Sequence, residues 1–237
     1  MPYENVFLFG GGFMLTKVMF ALHGAERADG LFSPDFRQQL HRVGVSRLQV
    51  NIDDAAVAPA LRFGPGEPIA AVVSIWTTGT AEDAVRVVTS ATSDPNLHAY
   101  RVSERVRLDL AAVDDGVRHP VLAQVALLRR PATMSQDEYR ACWMGTHTAI
   151  AIRTQNTSAY VQNIVEESLT PGAPVLSAIV EEHFPMEAMA DPHQFYGSRG
   201  DDAELGRRIG ELMTSVAAFG ADRDLDLVPT SAYGWDL

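Results

Sequence analysis

The feature that most constrains the fold is an order of predicted strands and helices that occurs twice along the chain. In the first half, strands are predicted at 16–24, 46–53, 69–78 and 99–110, with helices at 33–44 and 80–94. In the second half, strands are predicted at 119–131, 157–165, 176–184 and 224–235, with helices at 135–156 and 201–220. An order shared over about a hundred residues rarely arises by chance, so we expect an internal duplication.

The helix boundaries rest on capping residues. Ser33 precedes a proline at the first helical position, and Thr80 precedes an acidic first turn. Ser135 is followed three residues later by Glu138, the pattern of a capping box. Gly220 is typical of a helix C-terminus, so the last long helix is predicted to end there.

Each half therefore has the order βαββαβ, the ferredoxin-like unit of a four-stranded antiparallel sheet with two helices on one face. Strands such as 17–23 and 121–128 are apolar on both faces, which indicates that both faces are covered. Two sheets that cover each other close a barrel with the helices outside. The predicted fold class is α+β, with two fused ferredoxin-like repeats and a cavity between sheets.

The predicted organisation has three parts: an N-terminal leader at 1–15, a first repeat at 16–112 and a second repeat at 118–237. The leader contains FGGGF at 9–13, which lacks the Lys-Ser/Thr ending of a phosphate-binding loop. We expect a flexible segment there.

Charge and cysteine content limit the partners and the compartment. The formal net charge is −11, which disfavours nucleic acid and anionic membrane surfaces. Cys142 is the one cysteine, so no intramolecular disulfide can form, and a reducing cytoplasm fits best. No signal peptide and no membrane-spanning run of ~20 apolar residues is predicted.

One helical stripe mixes aromatic and polar side chains. At ~100° per residue, Tyr139, Trp143 and His147 lie on one face. We expect the imidazole and the indole to project into the cavity between the sheets of the two halves. His147, with an ordinary pKa of ~6.5, can act as acid or base, or can be a neutral core histidine bonded to a carbonyl. Trp143 can stack a planar substrate or fill the core. Tyr139 can orient His147, bind substrate or pack.

Further candidates lie on predicted strands. Arg129 can clamp a carboxylate or enolate, or end a strand in solvent. His183 shares a strand face with Glu181, which permits an acid–base pair or half of a metal site. Asn163 and Gln124 can point into the cavity. Because no HExxH motif or cysteine cluster is present, no metal is predicted.

The second half resembles the EthD family. A strand ending in LLRRP at 127–131 leads into MSQDEYRACWMGTH at 134–147, and VEEHF at 180–184 and the late strand with Pro229 also fit. EthD-like proteins belong to the dimeric α/β-barrel superfamily, so the resemblance implies a pseudo-dimer with one pocket-bearing half, itself paired as a homodimer. The resemblance covers 118–237; over 16–112 it is architectural only, with Leu40 where the tryptophan would stand.

The resemblance implies a place in a degradation or secondary-metabolite pathway, and related barrels carry out cyclisation, dehydration, decarboxylation, monooxygenation or haem chemistry. From the candidate residues, we expect a small-molecule enzyme of lyase, isomerase or cyclase type without a cofactor. We expect an aromatic or polyketide-like carbonyl substrate, with His147 and Tyr139 as catalytic residues and Trp143, Arg129, His183, Asn163 or Gln124 in binding. The alternatives are a non-catalytic small-molecule-binding or accessory protein and a haem-binding protein. Fold alone does not decide among them.

Overall fold

A computed structural model describes residues 15–23, 28–94 and 96–237. The first half contains β1 (Thr16–Leu22), α1 (Pro34–Arg42), β2 (Val45–Ile52), β3 (Ala71–Thr77), α2 (Ala81–Thr92) and β4 (His98–Leu108). The second half contains β5 (Leu122–Leu128), α3 (Gln136–Arg140), α4 (Thr148–Thr154), β6 (Ala159–Ser168), β7 (Ala178–Phe184), α5 (Pro192–Tyr196), α6 (Asp202–Ala218) and β8 (Leu225–Asp236). Every predicted strand is present, so the α+β prediction is confirmed.

The eight strands form one closed antiparallel barrel in the order β1-β3-β2-β8-β5-β7-β6-β4. Within the first half the strands are ordered β4-β1-β3-β2, and within the second half β8-β5-β7-β6, so both halves have the same arrangement. The pairs β2–β8 and β4–β6 join the halves. Closure leaves no strand edge of the barrel unpaired, which removes the usual route to edge-to-edge association.

The structure differs from the predicted helices in two places. The segment predicted as one helix at 135–156 is interrupted by a π-helical turn, Ala141–His147, between α3 and α4. The short helix α5 was not predicted, because five residues are too few to establish a 3.6-residue period. The predicted caps are confirmed: Ser33, Thr80 and Ser135 each accept a hydrogen bond from a backbone N–H of the first turn.

Alternation along each strand divides the core into a barrel interior and two outer layers beneath the helices. In the first half, the outer layer is aliphatic and aromatic, with Phe20, Leu48 and Val73 packed against α1 and α2. In the second half, Tyr139, Trp143 and Phe219 pack against the outer face of β5, β6 and β7. The barrel interior holds a third, separate apolar cluster together with buried polar side chains.

Among the described residues, no helix is long and apolar enough to cross a membrane. The predicted leader and its glycine run at 9–13 lie outside the described residues, apart from residue 15.

Candidate functional site

The π-helical turn sets the positions of the predicted aromatic and histidine side chains. The capping box of Ser135 and Glu138 begins α3, and the helix then widens at 141–147. The backbone N–H of Thr148 donates to the carbonyl of Trp143, five residues earlier, and the Thr148 hydroxyl donates to the same oxygen at 3.0 Å. π-Helical turns are rare and are frequently found at functional sites.

His147 is buried and tethered to α6. Its Nδ1 lies 3.0 Å from the Oγ of Ser215, and its ring centroid lies 4.6 Å from that of Phe219. Burial lowers the pKa of His147 to about 4, so the imidazole is neutral near pH 7. When Nδ1 carries the proton and donates to Ser215, Nε2 is left as a base.

The Tyr139 ring adjoins the rings of both Phe219 and Trp143. The Tyr139 ring centroid lies 5.8 Å from that of Phe219 and 6.0 Å from that of Trp143. The Tyr139 hydroxyl is buried and has no hydrogen-bond partner among the described residues. Burial raises the pKa of Tyr139, so its hydroxyl stays protonated and able to donate. We call Tyr139, Trp143, His147, Ser215 and Phe219 the Phe219 cluster.

Polar side chains on the outer face of the sheet share this helix-covered layer. Gln162 donates from Nε2 to the Thr148 hydroxyl at 2.8 Å, while its Oε1 has no partner among the described residues. The Tyr160 hydroxyl faces Trp143 and Thr148, although its geometry with the indole nitrogen falls short of a hydrogen bond. Each buried polar atom left without a partner calls for water or a ligand in its place.

An amide and a carboxyl side chain, Gln124 and Glu182, lie on the same outer sheet face, on neighbouring strands. Gln124 on β5 stands directly opposite Glu182 on β7, which stands opposite Tyr160 on β6. Burial raises the pKa of Glu182 to about 8. With its amide nitrogen turned toward Glu182, Gln155 donates to the Glu182 carboxyl at 3.1 Å.

The structure therefore brings His147, Tyr139, Trp143 and Gln124 into one layer, but that layer is outside the barrel. The sequence led us to expect the imidazole and indole to project into a hollow between the two halves. They lie instead between the helices and the outer sheet face of the second half, because the face that carries these side chains packs on β5, β6 and β7 of the same half.

His183 and Asn163 are inside the barrel. The Nε2 atom of His183 lies 2.8 Å from Oε1 of Glu181, and both side chains are 2% exposed. Gln49 donates to both Glu181 oxygens at 2.8 and 2.7 Å, and Asn51 donates to one at 3.1 Å. Asn163 donates from Nδ2 to the Ile179 carbonyl at 3.1 Å.

The Glu181 network joins the two halves across the barrel, since its amide donors come from β2 and its carboxylate from β7. Burial alone would raise the pKa of Glu181. The hydrogen bond and charge of His183, together with Lys17 and Asn51, outweigh burial and hold that pKa at about 2. The sequence identified the His183–Glu181 pair but not its amide partners, which only strand order places beside it.

Arg129 lies in a third place, at one end of the barrel. Its Nη2 lies 2.7 Å from Oδ2 of Asp226, so the guanidinium is already paired. Both residues line a cavity of about 330 Å³ that also contains His23 and His98. Neither histidine is among the candidates that the sequence indicates. The available signal was their position at the end of β1 and the start of β4, neighbouring antiparallel strands.

No group of three His, Cys, Asp or Glu side chains that could hold a metal ion occurs within 15–23, 28–94 and 96–237.

Comparisons with known proteins show the fold. No family model matches the chain, and no curated protein matches it by sequence. The crystal structure of an anthrone oxidase-like protein superimposes with a TM-score of 0.54 at 10% identity, covering 97% of this chain and 95% of that one. A "putative monooxygenase" from Lactobacillus acidophilus has a TM-score of 0.45 at 10% identity, covering 92% of this chain and 93% of its own. A second protein so described, from Fusobacterium nucleatum, has a TM-score of 0.45 at 9% identity, covering 94% and 97%.

Proposed function

We propose that this protein is a small-molecule enzyme that transfers a proton on an aromatic carbonyl compound bound at the Phe219 cluster. The observation that carries the proposal is the buried Tyr139 hydroxyl, which has no partner among the described residues and shares the Phe219 ring with a neutral, buried His147. A donor and a base in one water-poor layer are the two groups that enolisation requires.

In the proposed step, the Tyr139 hydroxyl donates a hydrogen bond to the substrate carbonyl oxygen. The Nε2 atom of His147 takes a proton from the carbon conjugated with that carbonyl. The C–H bond breaks, an N–H bond forms, and the electron pair moves to the oxygen, where Tyr139 stabilises the developing charge. Ser215 holds the imidazole through Nδ1, and Trp143 and Phe219 pack against the substrate ring.

Entry of a substrate requires a local opening of the helical layer, because Tyr139 and Trp143 are each only 1% exposed. We expect the opening at the π-helical turn, where the regular hydrogen-bond ladder of the helix is interrupted. Return of the proton from His147 to a different carbon of the enolate would give an isomerase, and attack by the enolate on a second carbonyl would give a cyclase.

Anthrone is a suitable test compound. It is a tricyclic aromatic ketone with an acidic methylene group, and the similar solved structure is described as anthrone oxidase-like. The measurement is deuterium exchange at this methylene under anaerobic conditions, followed by NMR. We expect the wild type to accelerate exchange and both His147→Gln and Tyr139→Phe to reduce it by about a hundredfold or more.

Two matched variants control for the substitutions themselves. His41→Gln changes an exposed histidine on α1, and Tyr233→Phe changes a tyrosine that packs on Phe32 in the first half. Both should exchange anthrone at the wild-type rate. Wild-type binding without faster exchange would support the alternative, a non-catalytic binding protein. Exchange that is equal in all variants would remove the Phe219 cluster from the mechanism.

We also propose that the halves at 16–112 and 118–237 are diverged repeats that form a pseudo-dimer, with the pocket retained in the second. The shared strand order and the equivalent inward positions of Asn51 on β2 and Asn163 on β6 support this. Since the barrel is closed within one chain, the proposed homodimer would use a surface other than strand edges.

A further inference from the structure

The cavity at the end of the barrel is separate from the Phe219 cluster and has its own chemistry. Part of its wall is apolar, formed by Ala21, Ile69, Leu127 and Leu176 beside the Tyr100 ring, and the rest carries polar and charged side chains. Its volume of about 330 Å³ is at the lower end of the range for small-molecule sites, roughly 300–1,000 Å³. The volume and the apolar part of the wall fit a flat ligand of about two rings.

A chain of hydrogen bonds fixes which nitrogen of each cavity histidine carries a proton. The Nδ1 of His23 lies 3.1 Å from the backbone carbonyl oxygen of Glu67, which can only accept, so Nδ1 is the donor. In the neutral ring, Nε2 of His23 is then an acceptor. It lies 3.3 Å from Nδ1 of His98, so that atom must donate.

The relay leaves Nε2 of His98 unprotonated. This atom has no hydrogen-bond partner within the part of the chain that the structure describes, and His98 lines the cavity. Burial, and next the proximity of His23, lower the pKa of His98, which favours the neutral ring. The cavity therefore contains a lone-pair acceptor and an apolar wall segment.

The charged groups around the cavity disfavour an anion. Arg129 is neutralised by Asp226 at 2.7 Å, and the Glu67 carboxylate accepts a hydrogen bond from Asn96 at 3.2 Å. A ligand carboxylate would meet two carboxylates and no unpaired cation among these groups. A neutral hydroxyl avoids that repulsion and supplies the proton that Nε2 of His98 can accept.

From the hydrogen-bond relay and the apolar part of the wall, we propose a second small-molecule site in this cavity, which binds a neutral aromatic alcohol of the phenol class through a hydrogen bond to Nε2 of His98. The site is independent of the proposed proton-transfer reaction.

The test compares 2-naphthol with 2-methoxynaphthalene, which has the same rings but no hydroxyl proton. Binding to the full chain is measured by titration calorimetry. We expect 2-naphthol to bind the wild type about tenfold more tightly than the ether, the effect of one well-formed hydrogen bond. His98→Leu should abolish that preference, and His98→Gln, which retains an acceptor oxygen, should restore part of it.

A Tyr139→Phe variant distinguishes the two sites. It should leave the 2-naphthol preference unchanged, because Tyr139 lies in the helix-covered layer and does not line the cavity. Equal binding of the two compounds to the wild type, or no binding of either, would overturn the inference even if the His98 variants fail to fold. So would a preference that Tyr139→Phe abolishes and His98→Leu retains, and that result would leave the proposed function standing.

Discussion

The Nδ1 atom of His147 lies 3.0 Å from the Oγ atom of Ser215, a residue 68 positions later in the chain. This contact joins the π-helical turn to α6 and holds the imidazole beside the Phe219 ring. It also determines what the histidine can do, since one ring nitrogen is occupied and the other remains for chemistry.

Acid stability should depend on His147. Its folded-state pKa of about 4 is below the ordinary 6.5, so protonation favours the unfolded chain. The stability that the neutral ring contributes is fully present above pH ~6.5 and is lost as the pH falls toward ~4. Between pH 7 and pH 5, the free energy of unfolding of His147→Gln should fall by about 2 kcal/mol less than that of the wild type. Urea denaturation at both pH values measures this. Parallel pH dependences for the two proteins would contradict this.

The Glu181 network should contribute strongly to stability. Glu181→Ala leaves the His183 ring and the Gln49 and Asn51 amides without their acceptor, so we expect a loss of about 3–5 kcal/mol. Glu181→Gln keeps one acceptor oxygen, so its free energy of unfolding should fall by less. Glu187→Ala, at an exposed position, is the control. The comparison is made by denaturant titration at pH 7, and a Glu181→Ala variant within 1 kcal/mol of wild type would refute the importance of the network.

The Glu181 carboxylate should also make the stability of the fold depend on pH in the acid range. Because the folded-state pKa of Glu181 is about 2, below the ordinary 4.5, its ionised form stabilises the fold above pH 4.5. That contribution should be lost progressively as the pH falls from 4.5 toward 2. A titration of unfolding free energy in Glu181→Gln should lack this component, whereas an unchanged acid profile would show that the carboxylate is not held ionised.

Two glycines, Gly210 within α6 and Gly220 just after its C-terminus, should respond oppositely to alanine. Gly220 has φ +80°, and a Cβ there would lie 2.3 Å from Cγ of Pro131, so Gly220→Ala should destabilise. Gly210 lies within α6 with nothing within 4 Å of an added Cβ, so Gly210→Ala should stabilise by up to about 1 kcal/mol. Thermal unfolding measures both, and changes of the same sign would contradict the assigned helix end.

The two halves should unfold together. The pairs β2–β8 and β4–β6 make each half part of the other's sheet, so Val50→Ala in the first half should lower the midpoint for the whole chain. Far-ultraviolet circular dichroism and tryptophan fluorescence should give one coincident transition. Two separated transitions would show that the halves at 16–112 and 118–237 are independent domains.

The elements were predictable because their signals are local. Strand alternation and capping residues such as Ser135 depend on neighbours in sequence, and the structure confirms them. Which side of the sheet a helix face packs on is not determined by neighbours in the sequence. The spacing of Tyr139, Trp143 and His147 shows that they share a face, but it cannot show whether that face meets the barrel interior or the outer layer.

Contacts between strands that are far apart in the sequence could not be predicted either. Arg129 and Asp226 are 97 residues apart, and Gln49 and Glu181 are 132 apart, so only strand order and register pair them. Gly145 lies in the π-helical turn, and nothing is within 4 Å of an added Cβ at that position, so no close neighbour requires a glycine there.

Indole NMR tests the central claim most directly. The chain has three tryptophans, and Trp143 alone lies in the Phe219 cluster, while Trp76 lies inside the barrel beside Glu104 and Trp235 packs on Tyr233. With anthrone added to saturation, we predict a shift of the Trp143 indole N–H signal and unchanged signals from Trp76 and Trp235. Bound anthrone that leaves the Trp143 signal in place would contradict a substrate site at the Phe219 cluster.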